Sequence, residues 1–209
     1  MKIILTRHGE SQGNVDKIYQ GDYDSPLTQK GIYQAELLSL RLRNEKFDLI
    51  YTSNLQRAYI TAESIQKYHP NINLIKDSRL NEKSHGIYSG LKKSHVEKYI
   101  YDSTDYWTQK PENGESLLDI ISRVEQIFKE ILEKKQDVLI VSHQLVLRIL
   151  RQLLLELPRE EALDKQIVPA DNTAVFIYQI TATGVEKLLE NCSKHILEAK
   201  NNSSSLNLK

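Results

Sequence analysis

The chain has 209 residues, with 28 basic against 28 acidic residues and 40% hydrophobic residues, which suits one domain with a sizeable core. Balanced charge argues against a nucleic-acid-binding surface, and no apolar run approaches the length of a membrane span. The only cysteine, Cys192, has no partner for an internal disulfide and is assigned no catalytic role. We therefore expect a cytoplasmic protein that binds neither nucleic acid nor membrane.

The first predicted element is a short buried strand from Lys2 to Thr6, which ends where polar residues begin. Residues 14–26 contain glycine, proline and aspartates and are predicted to form a loop. A helix is predicted to follow, with Thr28 as its N-cap. Its apolar stripe comprises Ile32, Ala35, Leu38 and Leu42.

A second buried strand is predicted from Asp48 to Thr52, followed by a helix capped at Ser53-Asn54. Arg57 falls in the first turn of that helix, where backbone N–H groups attract anions. A third strand is predicted over residues 72–75 and an irregular stretch over 80–91. Residues 92–111 are predicted to form a helix and a loop over the crevice.

The second half of the chain begins with a capping box at Ser116 to Asp119, which predicts a long amphipathic helix. Residues 137–142 give the strongest buried-strand signal of the sequence. A helix over 145–157, a strand over 174–180 and a turn at Thr183-Gly184 follow. We predict an α/β three-layer sandwich with a mostly parallel central sheet, forming a single domain over residues 1–200, and a flexible tail over 201–209.

Two histidines, His8 and His143, each follow a predicted strand, so the fold brings both to one edge of the sheet. A lone histidine at a strand end is more often structural, but Arg7 and Arg57 are expected at the same edge. Two guanidinium groups that each bind phosphate bidentately form a site for a dianion. Neither histidine has the spacing of a metal ligand, so no metal is expected.

These residue types fit phosphoryl transfer. A neutral His8 would attack phosphorus and form a phosphohistidine, while Arg7, Arg57 and His143 stabilise the charge of the transferring group. The leaving alkoxide needs a proton, and Glu82 is the candidate acid. A solvated glutamate would be the simpler interpretation of Glu82 without the other residues.

The chain also resembles the histidine phosphatase superfamily, whose members include cofactor-dependent phosphoglycerate mutases. Several motifs carry the resemblance in order over residues 1–180: Arg7-His8-Gly9-Glu10-Ser11 with Asn14, Gly21 with Asp24-Ser25-Pro26-Leu27-Thr28, Ser53-Asn54-Leu55-Gln56-Arg57-Ala58 with Thr61-Ala62-Glu63, Leu80-Asn81-Glu82 with Gly86 and Gly90, Gly114-Glu115-Ser116, and Val141-Ser142-His143.

The resemblance implies roles for individual residues. His8 would accept the phosphoryl group and Glu82 would donate the proton. The phosphate pocket would consist of Arg7, Arg57 and His143, with Asn14 as a further contact. Ser11 would either bind the phosphate or form the turn.

Specificity residues are expected beside these motifs. Gln144 stands where many members have Gly or Ala, so its longer side chain would narrow the pocket or meet the substrate. Gln20 and Gly21 are assigned to the substrate site, and Tyr88 flanks another motif. Among the remaining histidines, His85 and His95 are expected near the entrance, and His69 and His195 on the surface.

Three functions fit this pattern: a phosphatase, a phosphoglycerate mutase, or a catalytically silent module that binds a phosphorylated ligand. The short stretch between Glu82 and His143 favours a phosphatase, because the resemblance implies an extended insertion there in mutases. The expected partner is a small phosphorylated metabolite, with no cofactor. Any homodimer is expected to use the last strand or the tail.

Overall fold

A computed structural model describes residues 1–100, 107–158 and 169–196, with the side chains of 97–100 excepted. The fold is the predicted α/β sandwich around a six-stranded, mostly parallel sheet. Its strands are β1 (Lys2–Arg7), β2 (Leu49–Thr52), β3 (Asn73–Lys76), β4 (Val138–Ser142), β5 (Val175–Thr181) and β6 (Gly184–Cys192). Its helices are α1 (Gln12–Val15), α2 (Gln29–Leu42), α3 (Gln56–Gln66), α4 (Lys93–Ile100), α5 (Leu117–Glu133) and α6 (Gln144–Leu154).

The strands lie in the order β3-β2-β4-β1-β5-β6. The first four are parallel, so β1, β2 and β4 end at the same edge of the sheet, whereas β5 runs antiparallel to β1 and β6 runs antiparallel to β5. Ile3 of β1 lies opposite Val138 of β4 on one side and Tyr178 of β5 on the other. The polar residues that follow β1 and β4 are therefore neighbours.

Alternate residues of the strands point to opposite faces, and each face packs against a pair of helices. Ile4, Ile50 and Leu139 join the inner sides of α2 and α3. On the other face, Leu5 and Ile140 join α5 and α6. The sheet is thus covered on both faces, which explains why β4 is buried along its whole length.

The helix starts differ in how well the sequence predicted them. The Thr28 hydroxyl accepts from the Gly31 N–H, and Ser116 forms the predicted capping box with Asp119. The prediction of a cap at Ser53-Asn54 is wrong, because α3 begins later, after Leu55, and its N-cap makes no side-chain bond. The prediction that Ile32 belongs to the buried stripe of α2 is also wrong, because Ile32 is 39% exposed while the other three residues of the stripe are buried.

No strand was predicted beyond the turn at Thr183-Gly184, yet β6 pairs there with β5 at the edge of the sheet. Most of its residues are exposed, so the sequence lacks the apolar run that marked the inner strands. The predicted tail at 201–209, and parts of the predicted loops at 101–106 and 159–168, lie outside the described residues. Among the described helices, none is long and apolar enough to cross a membrane.

Candidate active site

The ends of β1, β2 and β4 form the floor of a cavity of about 710 Å³. Its lining includes Arg7, His8, Asn14, Gln20, Gly21, Arg57, Glu82 and Gln144. The volume is in the usual range of small-molecule sites. Eight residues that the sequence analysis assigned to the site thus line one cavity, although they come from six separate segments of the chain.

His8 is held in one tautomer. Its Nδ1 lies 2.6 Å from the carbonyl oxygen of Gly9, and because a carbonyl only accepts, Nδ1 carries the proton. The lone pair of the ring is therefore on Nε2. Burial, together with the charges of Arg7 and Arg57, holds the pKa of His8 well below its usual range. The imidazole is consequently neutral near pH 7, as a nucleophile requires.

The loop that carries His8 is fixed by close backbone packing against the start of α2. A Cβ on Gly31 would lie 1.9 Å from the carbonyl oxygen of Glu10, so no larger residue fits there. The Gly9 N–H donates to Thr61 Oγ1 of α3, and the Asn172 amide donates to the His8 carbonyl at 2.9 Å. Two flanking helices and the segment before β5 therefore position the nucleophile.

Both arginines are anchored by backbone carbonyls. Arg57 donates to the carbonyls of Tyr23 and Gly21, and Arg7 donates to Ala170. The Nε atoms of both arginines are buried without a partner among the described residues. Burial lowers the pKa of each guanidinium, although both stay charged. They are thus fixed cations with donors to spare, which favours a bound anion.

The N-terminus of α3 binds a carboxylate of the chain itself. Its first N–H, on Gln56, already donates to Asp24 Oδ1. The start of α6 also borders the cavity, where Gln144 and Leu145 line the wall. Leu145 donates its N–H to Glu82 Oε2 at 3.3 Å. The Gln144 side-chain oxygen is buried and has no partner among the described residues.

Glu82 is positioned by Arg123 of α5. The Arg123 guanidinium donates to the carbonyls of Arg79, Asn81 and Glu82, and also pairs with the Glu115 carboxylate at 2.7 Å. A single guanidinium thus holds three carbonyls of the segment that carries the carboxylate. Sequence reasoning missed Arg123, because nothing in its local pattern distinguishes it from any other charged residue on a helix.

His143 is fully buried, with its ring centroid 5.1 Å from that of His8. Its Nε2 lies 2.8 Å from Ser53 Oγ, while Nδ1 has no partner among the described residues. Burial and the nearby Arg57 and His8 hold the pKa of His143 well below its usual range. His143 itself is absent from the cavity lining.

Asn14 and Gln20 point their amide oxygens away from the anion site. Asn14 Oδ1 accepts from the Ser11 N–H, and the single proton of the Ser11 hydroxyl is shared between Asn14 Oδ1 at 3.0 Å and Gln20 Oε1 at 2.7 Å. The NH₂ groups of both amides are therefore available to donate hydrogen bonds to a bound anion. Ser11 is fully buried and does not line the cavity, so it acts as a turn former and orients these two amides.

A family model, described as the histidine phosphatase superfamily (branch 1), matches residues 3–193. The chain belongs to the histidine phosphatase superfamily. It is 38% identical to phosphoserine phosphatase 1 of Hydrogenobacter thermophilus, over 71% of this chain and 73% of the relative. The 2,3-bisphosphoglycerate-dependent phosphoglycerate mutase of Bartonella bacilliformis is 35% identical, over 95% and 96% of the two chains.

Among solved structures, the α-ribazole phosphatase of Shigella flexneri superposes with a TM-score of 0.83. The two proteins are 30% identical, and the match covers 92% of this chain and 96% of the other. Members of the superfamily that are named for different activities thus match this chain along nearly its whole length. The length argument against a mutase is therefore wrong: the Bartonella relative is matched along nearly its whole length without a large insertion.

The remaining predicted residues of this histidine phosphatase chain have mixed outcomes. His85 lines the cavity and stacks on Tyr19, but His95 and Tyr88 are absent from the lining. His195, predicted on the surface, is buried and its Nε2 lies 3.3 Å from Thr173 Oγ1. The segment before β5 was missed altogether, although Asn172 contacts both the His8 carbonyl and Asn14.

Proposed function

We propose that the chain is a phosphatase, which hydrolyses a small-molecule phosphomonoester through a phosphohistidine on His8. The tautomer of His8 carries the proposal: with the proton on Nδ1 facing Gly9, the lone pair on Nε2 is the nucleophile. The relatives named phosphatase support hydrolysis as the reaction. A cytoplasmic setting keeps Cys192, a free thiol, reduced.

The first step forms the bond between His8 Nε2 and phosphorus and breaks the bond between phosphorus and the ester oxygen. Glu82 gives its proton to the departing alkoxide. In the second step Glu82, now ionised, takes a proton from water, whose oxygen attacks phosphorus and displaces His8. Inorganic phosphate leaves, and both groups return to their starting protonation states.

The positive charge for both steps comes from Arg7 and Arg57, whose positions are fixed before the substrate arrives. Because their charges are buried, they stabilise the equatorial oxygens more strongly than solvated groups would. The amides of Asn14 and Gln20 add neutral donors, and the ring of His143 packs beside that of His8. No metal is required, and we expect full activity in excess chelator.

His8→Ala tests the mechanism, with His95→Ala as the matched histidine control on the exposed part of α4. Hydrolysis of p-nitrophenyl phosphate should fall by at least about 10³-fold in His8→Ala, because the covalent path is lost. Radiolabelled substrate, quenched in alkali, should label the parent and the control but not His8→Ala. Wild-type hydrolysis by His8→Ala contradicts the mechanism, and binding of phosphate without turnover in the parent identifies a silent module.

A phosphoglycerate mutase is the second candidate, because the Bartonella relative matches nearly the whole chain. In that case the phosphohistidine returns its group to a second hydroxyl instead of to water. The test incubates the protein with 3-phosphoglycerate, with and without a bisphosphate primer. A phosphatase releases inorganic phosphate regardless of the primer, whereas a mutase forms the 2-isomer faster than phosphate and only when primed.

A further inference from the structure

The cavity is strongly basic although the chain as a whole is neutral. Six cationic side chains line it, against the carboxylates of Asp16 and Glu82. Arg7 and Arg57 lie at the floor and match the two charges of a phosphate. Four lysines remain at the mouth: Lys17, Lys83, Lys92 and Lys93.

A short antiparallel backbone pairing places three of these lysines together. Ile18 bridges to Lys92, the Lys93 N–H donates to the carbonyl of Lys17 at 3.0 Å, and Tyr19 pairs with Leu91. The Lys93 ammonium lies 5.6 Å from the centre of the Tyr19 ring, which stacks on His85. The wall that carries this charge is therefore built by tertiary contacts between distant segments.

Lys83 is the fourth lysine of the mouth. It follows Glu82 directly in the chain and is half-buried. The carboxylates near it already have other partners. Glu115 pairs with Arg123, and Asp119 accepts from the Ser116 N–H. Burial lowers the pKa of Lys83, although the nearby acids Glu115, Glu82 and Asp119 act in the opposite direction.

The other acid of the lining, Asp16, accepts from the Gln12 side chain at 3.0 Å. Within the described part of the chain, none of the four lysines has a carboxylate within ion-pair distance. A phosphate at the floor would leave this positive charge at the mouth unmatched. The mouth is therefore suited to hold a second negative group.

We propose that Lys17, Lys83, Lys92 and Lys93 form a second anion subsite, and that the substrate is a phosphomonoester with a further carboxylate or phosphate group. This substrate class rests on the proposed phosphatase function. The phosphorylated end binds at Arg7 and Arg57, and the second anion lies at the lysines. A phosphomonoester with an uncharged remainder would bind without using the mouth.

Two pairs of compounds test the subsite. 3-Phosphoglycerate and glycerol 3-phosphate differ by a carboxylate in place of a hydroxymethyl group, and propane-1,3-diol bisphosphate and 3-hydroxypropyl phosphate differ by a phosphate. We expect the doubly anionic member of at least one pair to have a kcat/KM about tenfold higher, measured as release of inorganic phosphate. The preferred pair identifies the second anion. Equal rates within both pairs overturn the proposal.

The combined variant Lys83→Gln/Lys93→Gln should reduce that preference to about twofold or less, mainly through KM for the doubly anionic compound. Lys129→Gln, an exposed lysine on α5, is the matched control and should keep the preference. Added salt should weaken the preference in the parent, because charges at the mouth are screened. An unchanged preference in the double variant contradicts the assignment to these lysines.

Binding to His8→Ala separates this inference from the proposed reaction. Calorimetric titration of both compound pairs onto that protein requires no turnover. Tighter binding of a doubly anionic member, lost in the added Lys83→Gln/Lys93→Gln background, supports the subsite even if the parent hydrolyses nothing. Equal binding within each pair overturns the subsite even if p-nitrophenyl phosphate is hydrolysed.

Discussion

The chemistry of His8 depends on the oxygen atom that its ring faces. The Gly9 carbonyl fixes the tautomer, and burial beside two guanidinium groups lowers the pKa. Sequence alone indicated His8 as the nucleophile from its place after a strand and from its motif. The tautomer of His8 could not be predicted from the sequence, because it depends on the distance between Nδ1 and the Gly9 carbonyl in the folded loop.

Glu82→Gln should separate leaving-group departure from phosphate binding. The amide cannot donate a proton as an acid does, so kcat for an alkyl phosphate should fall by about 10²-fold or more. An aryl phosphate such as p-nitrophenyl phosphate has a stable leaving group and should lose far less. Inhibition by inorganic phosphate should change little. Equal losses for both esters would show that Glu82 is not the proton donor.

Other residues of the site show where sequence reasoning ends. Arg57 was recognised from its motif and its position in a helix turn, but its bonds to the Gly21 and Tyr23 carbonyls were not. Asn172 carries no local signal, since its function comes from the contact of one amide with the distant His8 carbonyl. Side chains that act through tertiary contacts leave no periodic pattern.

At the scale of elements, the segment from the short helical turn Ser78–Leu80 to Glu82 is attached to α5 by Arg123. Arg123→Lys keeps the charge but loses the fork that reaches three carbonyls. We expect kcat for alkyl phosphates to fall about tenfold with little change in KM, because Glu82 is displaced while the phosphate floor is intact. Esters with good leaving groups should be affected less.

Arg79→Lys is the matched control for this prediction. Arg79 also lies at this junction, but its guanidinium bonds to the side chains of Asp77 and Glu130 and does not hold the backbone before Glu82. Its replacement should leave the ratio of alkyl to aryl turnover unchanged. If Arg123→Lys lowers both turnovers equally, Arg123 supports the fold without positioning the acid.

The elements that the sequence predicted well are those with strong apolar periodicity, such as β4 and α5. β6 was missed because an edge strand with one exposed face and polar residues has no such signal. Its backbone pairs with β5 regardless of its side chains. The error at α3 has the same origin: Asp24, a residue from a remote loop, satisfies the first N–H of the helix.

For the whole molecule, four of the six histidines have a lowered pKa in the folded state. Burial is the largest cause for each, and it lowers the pKa of His85 and His195 to about 4. Below pH 6.5 the unfolded chain binds protons at these positions while the folded chain does not. The free energy of unfolding should therefore fall as the pH drops from 6.5 towards 4.

Urea denaturation at pH 7.5, 6.5 and 5.5 measures this effect. Each such histidine contributes a slope of at most about 1.4 kcal/mol per pH unit. His195→Gln should make the decline between pH 6.5 and 5.5 shallower, because one group that must stay neutral in the fold is removed. A decline of equal steepness in His195→Gln would exclude His195 from the linkage.

The central place of β1 has a consequence for the order in which the protein becomes active. β1 is synthesised first, but both of its neighbours, β4 and β5, lie more than 130 residues further along the chain. Such distant pairings form late, because the entropy of closing long loops must be overcome first. Asn172, which donates to the His8 carbonyl, is also made after all the proposed catalytic side chains. A nascent chain that stops before β5 would thus carry every proposed catalytic side chain and still lack a working nucleophile, so phosphohistidine formation would report the completion of folding.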